Sequence, residues 1–188
     1  MRVVLASGNP HKLRELRACL PGWTLEPLGS ACPEEEGSTY EENARTKARF
    51  ARGLAPPDVW ALGEDSGLEV DGLGGHPGVR SARYAGPGEN PVEKLLAELG
   101  GVSGDGRRAR YVCELVVVSP GDAEFRGGGV LEGAIAQEAR GTEGFGYDPV
   151  FVPAGERRTV AELGNEWKRA HSHRARAAAA LLRAVATL

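Results

Sequence analysis

Residues 2–28 constrain the fold of this chain more than any other stretch. Arg2 to Ala6 is a short apolar run, Ser7-Gly8-Asn9-Pro10 is a turn, and Leu13, Leu16 and Leu20 recur at helical spacing until Pro21-Gly22. Trp23 to Leu28 then reads as a second strand. A strand, a tight turn, an amphipathic helix and a strand in that order predict an α/β protein whose first strand is central and parallel. Pro10 suits the first helical position, because the N–H it lacks has no partner at a helix start.

The rest of the chain continues the pattern. Residues 39–54 predict a helix with Thr39 as N-cap and Glu42 completing a capping box. Ala44, Ala48 and Ala51 lie near one face of it, Glu41 and Arg45 form an i,i+4 pair, and Pro56-Pro57 ends it. Val59 to Leu62 predicts a strand that delivers Glu64-Asp65 to its carboxyl end, with Leu68 to Val70 resuming after a turn. Residues 72–90 read as loop and residues 91–99 as helix. Arg108 to Ser119 pairs through Pro120-Gly121-Asp122 with a strand over Glu124 to Ala136, a meander expected to form a second lobe. Val150 to Val152 is a further strand. Arg174 to Leu188 is an alanine-rich helix that packs through Leu181, Leu182, Val185 and Leu188. The 188 residues fit a single domain.

Composition excludes several classes. The formal net charge of -3 supplies no overall basic field for nucleic-acid phosphates. No stretch approaches the ~20 apolar residues that span a bilayer, and the first apolar run is too short for a signal segment. Cys19, Cys32 and Cys113 are odd in number and lack CxxC spacing, which predicts reduced thiols in a cytoplasmic protein. Lysine occurs only at 12, 47, 94 and 168. Lys47 and Lys94 fall in helical patterns and read as surface charges, whereas Lys12 and Lys168 fall in polar clusters.

Four polar clusters could carry chemistry. Ser7-Gly8-Asn9-Pro10-His11-Lys12 joins a strand to a helix, where backbone N–H groups and the helix dipole favour an anion. The same stretch also suits an ordinary turn with a surface lysine. Glu34-Glu35-Glu36 is either a solvated acidic loop or a source of Mg²⁺ ligands. Asp65, just past an apolar strand, is placed to hold a metal or activate water. Phe145-Gly146-Tyr147-Asp148 offers two rings for a nucleobase and a carboxylate to read its edge, or else core packing. Lys168, His173 and Arg174 add phosphate-seeking charge, with His173 read as a substrate contact rather than a metal ligand. Together these parts call for a nucleoside triphosphate, Mg²⁺ and water.

In order and spacing the motifs resemble the inosine triphosphate pyrophosphatase family. They are Ser7-Gly8-Asn9 with Lys12 and Glu15, Thr39-Tyr40-Glu41-Glu42-Asn43-Ala44 with Lys47-Ala48, and Glu64-Asp65-Ser66-Gly67-Leu68. Leu73-Gly74-Gly75, Pro77-Gly78, Ser81-Ala82-Arg83-Tyr84, Gly144 to Pro149 and Ser172-His173-Arg174 complete the match. The resemblance implies an elongated mixed α/β sheet with flanking helices, two lobes around a nucleotide cleft, and a homodimer. It implies Mg²⁺-dependent hydrolysis of ITP, dITP and XTP to the monophosphate and pyrophosphate. Asp65 would be general base and metal ligand, and Glu34 the second metal carboxylate, with Glu35 one step of register away. Residues 7–12 would hold the triphosphate. Ser66, Phe145, Gly146, Tyr147, Asp148, Lys168, His173 and Arg174 would contact the nucleotide. Glu64 stands where many bacterial relatives carry aspartate. A non-catalytic nucleotide sensor and a phosphohydrolase of other base specificity are the competing functions.

Overall fold

The computed structural model describes residues 1–187. The elements are β1 (Arg2–Ala6), α1 (Pro10–Cys19), β2 (Thr24–Pro27), α2 (Tyr40–Leu54), β3 (Trp60–Val70), β4 (Pro77–Gly78), α3 (Pro91–Glu98), β5 (Arg108–Val118), β6 (Glu124–Ile135), β7 (Phe151–Pro153), α4 (Val160–His171) and α5 (His173–Val185). The strands form a mixed sheet in the order β2-β1-β3-β5-β6-β7, with β4 paired to β3. β1 runs parallel to both β2 and β3, as the opening residues predict, while β4 and β7 pair antiparallel. Leu188, expected to pack with the last helix, lies outside the described residues.

The chain divides into two compact units. The first comprises residues 1–66, 113–129 and 173–188, and the second residues 67–112 and 130–172. The turn of the β5–β6 meander therefore belongs to the first unit and does not build a second lobe. In the first unit, Val3, Leu5, Leu16, Leu20, Leu62, Leu115, Val117, Ala177 and Leu181 make one core cluster. A smaller cluster joins Val4, Ala6, Ala51, Val59 and Ala61. In the second unit, Leu68, Leu95, Leu99, Tyr111, Tyr147 and Phe151 lie in a separate core.

Helices α2 and α5 touch the sheet through backbone. A Cβ on Gly63 would stand 1.9 Å from the Ala44 carbonyl oxygen, and one on Gly129 2.2 Å from that of His173. Strand glycine against helix alanine thus brings each helix down onto the sheet, and this explains the small-residue stripe of α2. The Thr39–Glu42 capping box and Pro10 at the start of α1 form as the sequence predicts.

Three expectations change. Glu64-Asp65 do not follow a strand, because β3 runs unbroken from Trp60 to Val70 with both acids in its middle. Lys168 lies not in a loop but on α4, a helix absent from the sequence reading. Lys47 is a buried residue rather than a surface charge.

Candidate functional site

The two adjacent acids of β3 leave on opposite faces, as strand geometry requires. Asp65 shares the face of Gly63 and meets α2. Its Oδ2 accepts from Asn43 Nδ2 at 3.0 Å, and its Oδ1 accepts from Lys47 Nζ at 3.0 Å. Lys47 Nζ also donates to the Glu64 backbone carbonyl at 3.0 Å and pairs with Glu35. Burial lifts the Asp65 carboxyl above its usual range, Lys47 pulls it down, and the acids Glu35 and Glu64 add to the rise. Burial would lower Lys47, but Asp65, Glu64 and Glu35 together hold its ammonium above the ordinary lysine value. One cation among three carboxylates keeps its proton, and the acids compete for it.

Glu64 shares the face of Leu62 and meets α1 and α5. Its Oε2 lies 2.7 Å from Lys12 Nζ, and its Oε1 accepts from Arg174 Nε at 3.1 Å and from the Cys113 thiol at 3.8 Å. Arg174 continues the network to Glu15 at 2.9 Å and to Ser66 Oγ at 2.7 Å. Burial would raise the Glu64 carboxyl, but Lys12, Arg174 and Lys47 hold it far below its usual range. Arg174 is held correspondingly high, since Glu64 and Glu15 outweigh its burial. Both Glu64 oxygens thus face cations, and that carboxylate is the counter-ion of Lys12 and Arg174.

The turn after β1 is closed on itself more than its sequence predicts. Asn9 caps α1, its Oδ1 accepting from the backbone N–H of His11 at 2.9 Å and of Lys12 at 3.3 Å. Ser7 Oγ accepts from Asn9 N–H at 3.2 Å. The backbone donors of this turn are thus already engaged by an Asx-type cap, with Gly8 and Pro10 exposed beside them. In the acidic loop Glu34 is exposed, and Glu35 is the glutamate that reaches Lys47. His173 is buried at the start of α5, next to Arg174.

In the second unit, Asp148 organises the aromatic loop. Its Oδ2 accepts from Phe145 N–H at 2.8 Å and lies 2.7 Å from Lys168 Nζ, and Tyr111 Oη donates to its Oδ1 at 3.3 Å. Lys168 Nζ sits 4.6 Å from the centre of the Phe145 ring, a cation–π contact. Gly146 has a φ of 61° between them. Tyr147 is not half of a ring sandwich: it packs in the core and its hydroxyl donates to the Ser81 carbonyl at 2.9 Å. Burial raises its phenol well above the ordinary value.

The sequence reading missed Asn43, Lys47 and Tyr111 as site residues. Asn43 and Lys47 lie four apart on the alanine stripe of α2, where a polar residue has to find a buried partner, so that spacing was the available signal. Among the described residues no three His, Cys, Asp or Glu side chains group as a metal site. The acceptors around Lys47 Nζ are nevertheless all oxygens, from Glu35, Asp65 and the Glu64 carbonyl. One or two carboxylates, with the other positions left to water and phosphate, is the donor set that suits Mg²⁺. No described helix is long and apolar enough to cross a membrane.

The comparisons with known proteins agree with this architecture. The Ham1 family profile matches residues 3–184. A dITP/XTP pyrophosphatase of Symbiobacterium thermophilum is 49% identical over 96% of this chain and 93% of its own length. One from Thermus thermophilus is 47% identical over 98% and 91%. Among solved structures, a HAM1 protein from Coxiella burnetii matches with a TM-score of 0.87 at 37% identity, covering both chains completely. A nucleoside-triphosphatase / dITP/XTP pyrophosphatase from Mycobacterium abscessus matches with a TM-score of 0.76 at 41% identity, over 97% of this chain and 99% of its own. With a family match over nearly its whole length and the same fold in its solved relatives, the chain belongs to the Ham1 family.

Proposed function

We propose that this chain hydrolyses non-standard purine nucleoside triphosphates (ITP, dITP and XTP) to the monophosphate and pyrophosphate. The observation that carries the reading is Asp65: a buried carboxylate, raised above its ordinary pKa, fixed by Asn43 and Lys47 in the middle of β3. The relatives named dITP/XTP pyrophosphatase support the substrate class.

In this reading Asp65 takes a proton from water as the water oxygen attacks the α-phosphorus, the bond to the bridging oxygen breaks, and pyrophosphate leaves. A carboxylate with a raised pKa is a better base than an ordinary one. Lys12 and Arg174 hold the phosphates, with their orientation set beforehand by Glu64. Asp65 and a glutamate of the acidic loop would hold Mg²⁺. The family resemblance favours Glu34, and the contact with Lys47 favours Glu35. The ion, when bound, supplies charge neutralisation for the phosphates. Phe145 stacks on the base. The Lys168 ammonium, steadied by Asp148, presents donors and no acceptor, which suits the 6-oxo group of hypoxanthine or xanthine and leaves the amino group of adenine without a partner. A cytoplasmic homodimer belongs to the same reading, and sizing the protein in solution tests the assembly.

Pyrophosphate release from a panel of ITP, XTP, dITP, GTP, ATP and dUTP, with and without Mg²⁺, is the test. Preference for the inosine and xanthosine nucleotides is expected. Preference for ATP or dUTP overturns the base assignment, and binding without release identifies a sensor.

A further inference from the structure

Helix α4 is two helical pieces. At Gly164 the backbone turns to φ 87°, ψ 173°, outside the helical region, and a new piece starts at Asn165. A new start needs partners for its first N–H groups. Glu143 supplies one: its Oε2 accepts from the Asn165 backbone N–H at 3.0 Å and from Asn165 Nδ2 at 2.8 Å. Gly164 is fitted to this contact twice over. Its positive φ is strained for any other residue, and a Cβ there would stand 3.1 Å from Glu143 Oε1. Glu143 N–H also reaches the Ala161 carbonyl at 3.4 Å, on the first piece of α4.

The piece that Glu143 caps carries Lys168, one turn further on. Glu143 itself lies two residues before Phe145 and five before Asp148, the two residues that Lys168 Nζ touches. The loop therefore grips this helical piece at its start and again at its functional side chain.

We propose that Glu143 is a positioning residue: it fixes the start of the helical piece carrying Lys168, and so places that ammonium over the Phe145 ring and against Asp148. Fixing the donor beforehand spares the ligand the cost of ordering it. The inference rests on the reading that Phe145 and Lys168 bind the purine. Glu143 is exposed, so its replacement leaves the core intact.

The test is calorimetric binding of inosine monophosphate and, separately, inorganic pyrophosphate to the wild type and to Glu143→Ala, Glu143→Gln and Lys168→Met, together with KM and kcat for ITP. Glu143→Ala is expected to weaken inosine monophosphate binding and raise KM by about three- to thirtyfold, the size of a lost side-chain cap. Pyrophosphate binding and kcat are expected to stay within about twofold, and Glu143→Gln, which keeps an acceptor oxygen, to recover much of the loss. Equal weakening of both ligands, or unchanged inosine monophosphate binding in Glu143→Ala, overturns the proposal. If Lys168→Met also binds inosine monophosphate normally, the base-site reading itself fails. If only Lys168→Met is impaired, that reading stands and the role of Glu143 falls.

Discussion

Glu64 and Asp65 are neighbours on β3 that meet different helices, and the two faces treat a carboxylate in opposite ways. On the α1/α5 face Glu64 has two cations as partners, Lys12 and Arg174, the second shared with Glu15. On the α2 face Asp65 shares the single cation Lys47 with Glu35 and the Glu64 carbonyl. The first arrangement produces a locked counter-ion that stays ionised. The second leaves an acid under strain, held in place by Asn43 but short of positive charge. Pairs of carboxylates whose surroundings drive their pKa values apart divide into different roles, and here one strand does this between consecutive residues.

The largest expected effect that would break this contrast is on turnover. Asp65→Asn should lower kcat by about 10²- to 10⁴-fold, the scale of a lost general base. Its folding stability should not fall, because a group with a raised pKa gains nothing from being charged when folded. Pyrophosphate release and a thermal melt check both halves, and near-normal release would remove Asp65 from the chemistry. Glu64→Gln should do the reverse in stability. It strips a counter-charge from the buried Arg174 and the half-buried Lys12 and should cost about 3–5 kcal/mol, as for a broken buried pair, measured by denaturant unfolding. If that variant were fully stable but required much more Mg²⁺, Glu64 would be a ligand and the contrast would vanish.

Acid sharpens the comparison with a smaller effect. Glu64 sits below its ordinary 4.5, so its contribution is complete above that pH and is lost as pH falls toward its folded value. Asp65 sits above its ordinary 3.8, so its cost is absent below that pH and grows as pH rises to its folded value. Urea unfolding in EDTA across this range should show Glu64→Gln flattening the acid-side loss and Asp65→Asn stabilising the protein toward neutral pH. Each pKa unit of displacement carries about 1.4 kcal/mol. The smallest effect belongs to the surface. Arg45 bridges Glu41 and Glu124 at 2.7 Å, yet it is partly exposed, and Arg45→Ala should cost no more than about 1 kcal/mol in the same unfolding measurement.

The legible parts of this sequence were the local ones. Pro10, the Thr39–Glu42 box and the apolar periods fix α1, α2 and the parallel opening of the sheet, because each depends only on neighbours in sequence. β3 was not legible through its middle. Glu64-Asp65-Ser66-Gly67 has the composition of a turn, and only the cations on α1, α2 and α5 let such residues lie in a buried strand. Helix α4 was hidden by Gly164, although Thr159 and Glu162 form the same capping box that announced α2. Lys12, Asp65, Asn9 and Arg174 stand out in the sequence by type and setting. Their partners do not, since Lys47 and Glu64 take their roles from contacts between residues far apart in sequence.

The bare backbone at Gly63 and Gly129 has a mechanical consequence. The helices bearing Asn43, Lys47 and Arg174 stand off the sheet by a gap that two missing methyl groups define. A single carbon added at either position would lift a whole helix and drag its polar cargo out of reach, without altering any atom that touches a nucleotide. The tolerance of the machinery is thus set in silent places, where a substitution that looks conservative acts like a shim under a bearing.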